Sequence, residues 1–365
     1  LPMVPVSYIF QEPASENHDK IPEVYISSVH SDCRIHICHF PDHRQQSGQP
    51  DVRYSESAAP WKHYPLPSAD AVRSLPLSLY MRVIVTGATS FIGSHAVQAL
   101  VSQGFEVCAL IRPNSAGKKN LEQMIIKKEL LEIIECELSG LKELAVNAEK
   151  LSKIGQKWSH DLGRADYWLH LGWDGSGSDN RKLADIQSMN AVYALDALET
   201  AAAVNCKRFL FCGSQAEYGV RNTTMRETDE LHPLSEYGKA KAKVGREAVM
   251  RAEALGITYI HTRVFSVYGP GDHPWSLVES CMRTFKEGGI MELGACTQLW
   301  NYLYITDAIR ALILLLTGDA PAGVYNVAGE DTRPLREYIE TIHALCGGQG
   351  TCHYGKRPPN AEGVT

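Results

Sequence analysis

The stretch from Arg82 to Gly93 constrains what this chain can fold into more than any other. Val83, Ile84 and Val85 are a short run of apolar, β-branched residues, the mark of a buried strand. Gly87 breaks the run, and an apolar-periodic helix opens around Phe91, Ile92 and Gly93. Strand, glycine turn and helix in that order make a seat for a diphosphate. The helix start leaves backbone N–H groups unpaired and carries partial positive charge, so an anion settles there. Gly87 allows the tight turn, and Gly93 lets the helix lie close on the sheet. Ser90 replaces the glycine usual at the middle of this spacing. It is expected to keep an ordinary negative φ and to offer its hydroxyl to a phosphate oxygen. Thr89, Phe91 and Ile92 complete the seat.

A chain of 365 residues is long enough for two domains, or for one large one with a sizeable core. With 44% hydrophobic and 21% charged residues, it has the profile of a globular protein. A net charge of −6 and the lack of a basic block argue against nucleic acid as a partner. The apolar run Ala311 to Leu316 is too short to span a bilayer and reads as a core helix. No membrane association is expected. Cys108, Cys136, Cys206 and Cys212 sit beside strand-like apolar residues, which fits reduced, buried thiols and a cytoplasmic location. No segment near the start has the pattern of a secretory signal.

Residues 1–80 are rich in Pro, Ser and His and show no sustained period. They read as mostly disordered, or as sequence upstream of the native protein, with Met81 as a candidate start. Cys33, His36, Cys38 and His39 invite a zinc reading. The alternation of Ile35 and Ile37 among them reads instead as a short strand, and no metal is expected.

From residue 81 onward, strand and helix patterns alternate. Strands are expected at 82–86, 106–111, 132–136, 166–171, 207–213 and 258–264. Helices are expected at 92–103, 119–130, 180–204, 236–255, 306–317 and 334–346. This alternation implies an α/β fold, a Rossmann-type doubly wound parallel sheet. Residues 81–263 would form a dinucleotide-binding domain. The Gly-, Pro- and aromatic-rich stretch after 264 breaks the alternation and would build a small C-terminal substrate-binding lobe. That lobe, 264–365, would be interleaved with the sheet domain and truncated at its end.

The strand at 106–111 is followed by Arg112. In a dinucleotide site this position meets the adenosine ribose, where an acid favours NAD and a cation favours NADP. Arg112 therefore leans to NADP, with a solvated surface arginine as the competing reading. Glu137 and Leu138 follow the next strand, where a carboxylate can accept from an adenine amino group. The fourth strand ends in His170, Leu171 and Gly172, and the small residue lets a flat cofactor lie across it. His170 reads as a half-buried, satisfied histidine rather than a base. Tyr237 and Lys241 are four apart on a helix and share a face. A free phenol has a pKa of about 10. A nearby cation stabilises phenolate, so the pair can serve as acid and base near neutral pH. Ser214, at the end of the fifth strand, could hydrogen-bond the same substrate oxygen.

With these residues in view, the chain resembles the extended short-chain dehydrogenase/reductases, specifically the NAD-dependent epimerase/dehydratase family that acts on nucleotide sugars. The marks run from Thr86–Gly93 through His170–Gly172, Asn190, Ser214 and Tyr237 with Lys241. They continue through Arg263–Asp272, Tyr304–Asp307 and Tyr325–Gly329. The resemblance implies that Tyr237 moves the proton on the sugar oxygen and Ser214 polarises that oxygen. Lys241 would hold the nicotinamide ribose and depress the tyrosine pKa. Asn190 would order the lysine through water, and Val264 would flank the cofactor. The loop from Tyr268 to Asp272 would frame sugar and diphosphate. A homodimer through the helices carrying Asn190 and Tyr237 is also implied.

Departures narrow the subfamily. Dehydratases carry Asp and Glu after the serine position, and this chain has Gln215 and Ala216. Glu217 comes one place later and would face away if the segment stays extended. Dehydration is therefore disfavoured. Ser266 and Trp300–Asn301 replace the usual Asn and Arg–Asp, and Trp173 and Asp174 replace small residues near the sugar pocket. The expected activity is epimerisation or reduction at a sugar carbinol or keto carbon. Alternatives are an NADPH-dependent reductase of another small ketone and a non-catalytic nucleotide sensor.

Overall fold

The computed structural model describes residues 81–146, 165–177, 179–221 and 223–357, and four short strands before them. Those strands are β1 (Tyr8–Phe10), β2 (Val24–Ser28), β3 (Cys33–Ile37) and β4 (Lys62–Tyr64). They pair in the order β3-β2-β1-β4, and the alternating tract around Ile35 is a strand. The rest of residues 1–80, expected to lack structure, lies outside the described residues.

The large sheet begins with β5 (Arg82–Thr86), helix α1 (Phe91–Ser102) and β6 (Glu106–Ile111). Helix α2 (Lys118–Met124), β7 (Leu131–Glu135) and α3 (Leu141–Val146) follow. Next come β8 (Tyr167–His170), α4 (Ala184–Ala203), β9 (Arg208–Ser214), α5 (Glu236–Leu255) and β10 (Thr258–Val264). After β11 (Ser266–Tyr268), α6 (Leu277–Lys286), β12 (Ile290–Glu292) and β13 (Leu299–Tyr304), the chain re-enters the large layer. It does so as α7 (Ile305–Thr317) and β14 (Gly323–Val327). Then β15 (Thr332–Pro334), α8 (Leu335–Leu345) and β16 (Thr351–His353) end the described chain.

Seven parallel strands lie in the order β14-β10-β9-β8-β5-β6-β7. The chain first winds outward from β5, then returns to lay β8 on its other side. The reversal between β5 and β8 is a topological switch point, where such sheets open a crevice for ligands. Strand alternation sends Val83, Val85 and Leu169 to one face, under α1 and α7. Ile84, Trp168, Phe209 and Phe211 go to the other, under α4 and α5. Each of these large side chains contributes roughly 1.5–3 kcal/mol on burial. The apolar run from Ala311 is a core helix, and among the described residues no helix is long and apolar enough to cross a membrane.

Helices α3 and α6 and the short strands after β10 were not expected, and three further departures bear on the large sheet. Strand β14 was not anticipated: its pairing with β10, from Ile260↔Gly323 to Val264↔Val327, is long-range. Helix α2 stops at Met124 because Ile125 is extended (ψ 118°), and only a 3₁₀ turn at Lys128–Leu130 remains of the expected helix. Helix α4 starts at Ala184, because Leu183 is also extended. A separate core of Cys281, Phe285, Met291, Leu293, Leu335 and Ile339 lies between α6, α8 and short strands.

Candidate active site

Two glycines meet at the switch point. Gly87 follows β5 with φ +68°, and a Cβ there would lie 2.8 Å from the amide nitrogen of Gly172, which follows β8. A Cβ on Gly93 would lie 2.1 Å from the Gly87 carbonyl oxygen, so α1 can approach the turn only with glycine here. Ser90 has φ −73°, as expected. Its hydroxyl, however, caps α1 by accepting from the Gly93 N–H at 3.1 Å. The cap is worth about 1 kcal/mol, and only the hydroxyl hydrogen is left for a phosphate. The N–H groups of Phe91 and Ile92 have no intrahelical acceptor. The Thr89 hydroxyl bonds that of Ser115, 2.9 Å away, which ties the seat to the loop after β6. A close-approach turn ending on a helix N-terminus fits a dinucleotide diphosphate.

Arg112 lies one residue past β6, and its side chain is 66% exposed. Its guanidinium pairs with Asp174 across 3.6 Å, so it is not a free surface cation. Glu137 follows β7 in extended backbone, beside buried Leu138. A Cβ on Gly172 would come within 2.7 Å of the Leu138 side chain. Leu171 continues β8 through a backbone bond to the Thr86 carbonyl.

His170 is fully buried rather than half-buried, stacked on Phe209 and Phe211. Its Nδ1 pairs with Thr86 at 2.9 Å, and its Nε2 has no hydrogen-bond partner. Burial first, and then the Lys241 charge, lower its pKa to about 3. It is a neutral core residue.

Three expected site residues lie on the end of β9 and the first turns of α5. The Ser214 hydroxyl accepts from the Ala216 N–H at 3.2 Å, which leaves its own hydrogen to donate. Tyr237 sits in the first turn of α5, whose start Ser235 caps by accepting from Gly238 N–H at 3.1 Å. One turn on, Lys241 donates to the Cys212 carbonyl at 2.6 Å, two residues before Ser214. Its ammonium lies 3.8 Å from the ring centroid of Trp173, 4.7 Å from that of Phe211 and 5.5 Å from that of Tyr237. Trp173 donates its indole N–H to Gln187 at 2.8 Å, and Gln187 in turn holds the carbonyls of Gly175 and Asn180. Asn190 accepts from the Asp174 N–H at 2.9 Å and donates to its carbonyl at 2.7 Å. It therefore orders the loop at Asp174. Sequence reasoning missed Gln187. Its spacing of three from Asn190 on one helix face was the available signal.

Glu217 does not continue an extended strand. Residues Gln215–Glu217 form a 3₁₀ turn, and the Glu217 carboxylate folds back to accept from the Ser214 N–H at 2.8 Å. It is wholly buried, 2.9 Å from His261 and 3.2 Å from Arg263. Burial raises its pKa, but His261, Arg263 and the Ser214 amide outweigh burial and hold the carboxyl below its usual range. Arg263 also donates to Tyr218 at 2.8 Å, and Tyr218 donates to Asn326 at 2.7 Å.

On the lobe side, Val264 ends β10 in register with Ser214, and Ser266 and Tyr268 lie on β11. Tyr268 packs edge-on against Tyr302 and Tyr304. The Asp272 carboxylate accepts from the His273 N–H at 2.7 Å. Asn301 clamps the loop at Gly329, donating to its carbonyl at 2.6 Å and accepting from its N–H at 2.8 Å. A separate cleft of about 550 Å³ opens between α6, β12 and β16, lined by Arg283, Arg357, His353 and Glu292.

A glycine turn running into a helix N-terminus at the switch point of a seven-stranded parallel sheet places the chain in the Rossmann-type class of folds. The chain belongs to the NAD dependent epimerase/dehydratase family, whose model matches residues 83–328. It is 27% identical over 279 residues to a dTDP-4-dehydro-6-deoxy-D-allose reductase of Streptomyces bikiniensis, covering 73% of this chain and 81% of the relative. It is 23% identical to an uncharacterized UDP-glucose epimerase, YtcB, of Bacillus subtilis (strain 168), covering 76% and 86%. Among solved structures it resembles the UDP-N-acetylglucosamine 4-epimerase from Methanobrevibacter ruminantium M1 in complex with UDP-N-acetylmuramic acid. The TM-score is 0.65 at 24% identity, over 77% of this chain and 87% of the other.

Proposed function

We propose that this chain is an NAD(P)-dependent enzyme that epimerises or reduces a nucleotide-linked sugar at a carbinol or keto carbon. The observation that carries the reading is that Lys241, one helical turn after Tyr237, donates to the carbonyl of Cys212, two residues before Ser214. A nicotinamide held there would supply the hydride chemistry. Tyr237 moves the proton on the sugar oxygen. Ser214, whose oxygen already accepts from Ala216, donates its hydrogen to the same atom. Fixed positioning of these groups supplies much of the rate. Dehydration is disfavoured, because Gln215 and Ala216 carry no acid or base and Glu217 is held in a buried ion cluster. Relatives named as a reductase and as an epimerase support both branches.

The test is a panel of UDP- and dTDP-linked sugars with oxidised nicotinamide dinucleotide, and of their 4-keto derivatives with the reduced form. Loss of nicotinamide absorbance with a keto sugar identifies a reductase. Interconversion of two epimers without net cofactor change identifies an epimerase. Dinucleotide binding without turnover on any of them overturns the reading.

Cofactor choice turns on Arg112. A 2′-phosphate would have to compete with the Asp174 carboxylate for its guanidinium. Exposed pairs of this kind are worth about 0.2–1 kcal/mol. Asp174→Asn is therefore expected to shift the NADP-to-NAD affinity ratio toward NADP by a few-fold, read by calorimetry on the apoenzyme. An unchanged ratio counts against a role for Arg112 at the ribose.

Helix α4 exposes Ile186, Met189 and Val192 along one side, with Met189 44% exposed. We assign this stripe to a homodimer contact. Met189→Lys is expected to convert a dimer into a monomer by size-exclusion chromatography with light scattering. A wild-type monomer contradicts the assignment.

A further inference from the structure

We propose that Trp173 is a positioning residue that holds the Lys241 ammonium in place by its ring face and so sets dinucleotide affinity. The proposal rests on the reading of Lys241 as the residue that grips the cofactor ribose. Lys241 is 5% exposed, and among the described residues no carboxylate reaches it within ion-pair distance. A buried ammonium without a counter-charge is costly unless other groups replace its water. Here one carbonyl and three aromatic faces do so, and Trp173 is the nearest of the three, at 3.8 Å from ring centroid to ammonium. Indole is the strongest of the natural rings for this contact.

The ring cannot easily swing away. Its N–H is tethered to Gln187, a residue 1% exposed whose own amide is anchored to two carbonyls. Asn190 fixes the next residue, Asp174, through both its N–H and its carbonyl. An edge contact with Tyr237 at 5.8 Å places the same ring against the second residue of the pair. Trp173 thus acts through Lys241. The usual small residue at this position could not supply such a face.

The experiment compares full-length wild type, Trp173→Phe and Trp173→Leu. Each is treated with an amine-acylating reagent without cofactor, and labelling of Lys241 is followed by mass spectrometry. NAD affinity is measured in parallel by calorimetry. Thermal midpoints check that both variants fold. Labelling should stay slow in wild type and Trp173→Phe and accelerate in Trp173→Leu. NAD binding should weaken on the order of tenfold in Trp173→Leu alone, since desolvated cation–π contacts reach that size. Equal labelling in all three proteins overturns the proposal. Faster labelling in Trp173→Leu with unchanged NAD affinity leaves the ring's grip standing and overturns the ribose role of Lys241.

Discussion

Tyr237→Phe is expected to lower turnover by about 10²–10⁴-fold, the usual size of a lost general acid–base group. The substitution removes one oxygen and keeps the ring. The ring keeps its contacts with Trp173, with the Lys241 ammonium and with the guanidinium of Arg181, 4.7 Å from its centroid. The first-turn N–H of Tyr237 still donates to the Arg181 carbonyl at 2.9 Å. Stability and NAD affinity should therefore change little while turnover collapses. His170 cannot take over, because it is buried, neutral and paired with Thr86. Steady-state kinetics with calorimetry separates these quantities. A variant that retains more than a tenth of wild-type turnover would remove Tyr237 from the chemistry.

The second large effect lies beneath the site. Glu217→Leu is expected to cost roughly 3–5 kcal/mol in stability, because it leaves the buried Arg263 and His261 without their shared carboxylate. It also takes the acceptor from the Ser214 N–H, so the turn that aims Ser214 loosens. Denaturant midpoints measure the first effect. The pH dependence gives an independent check. The folded carboxyl of Glu217 stands below its ordinary value despite burial, through His261, Arg263 and the Ser214 amide. Its contribution is thus fully present above the unfolded pKa of about 4.3 and lost as pH falls through the lower folded value. The wild type should lose stability in that acid window, and Glu217→Leu should lack this component of the loss. Equal stabilities at neutral pH would mean that the carboxylate is dispensable.

The part of the sheet around β5 was readable because its signals are local. The apolar run at Val83–Val85, the glycine at a left-handed φ and the glycine under a carbonyl each act within a few residues. The shared face of Tyr237 and Lys241 follows from helical spacing alone. What depends on distant partners was not readable. Strand β14 exists because β10 offers it an edge. Trp173 signalled only an altered pocket, and its contact with Lys241 needs the sheet to bring β8 beside β9. Glu217 illustrates the same limit. Its direction rested on an extended backbone, whereas the pull of His261 and Arg263 closes a 3₁₀ turn. The Ser90 hydroxyl was read as a donor to phosphate, and the acceptor role its oxygen takes as the cap of α1 was not.

We propose that Ser214, Tyr237 and Lys241 govern hydride transfer between a nicotinamide and a sugar carbon. Isotope tracing tests it most directly. Wild type and Tyr237→Phe are incubated with 4-keto nucleotide sugars and a reduced dinucleotide deuterated at the transfer position, and the sugars are analysed by mass spectrometry. Both the reductase and the epimerase branch predict deuterium on the sugar carbinol carbon with wild type, and far less with Tyr237→Phe. Absence of deuterium from every sugar, in a protein that binds the dinucleotide, would contradict the account.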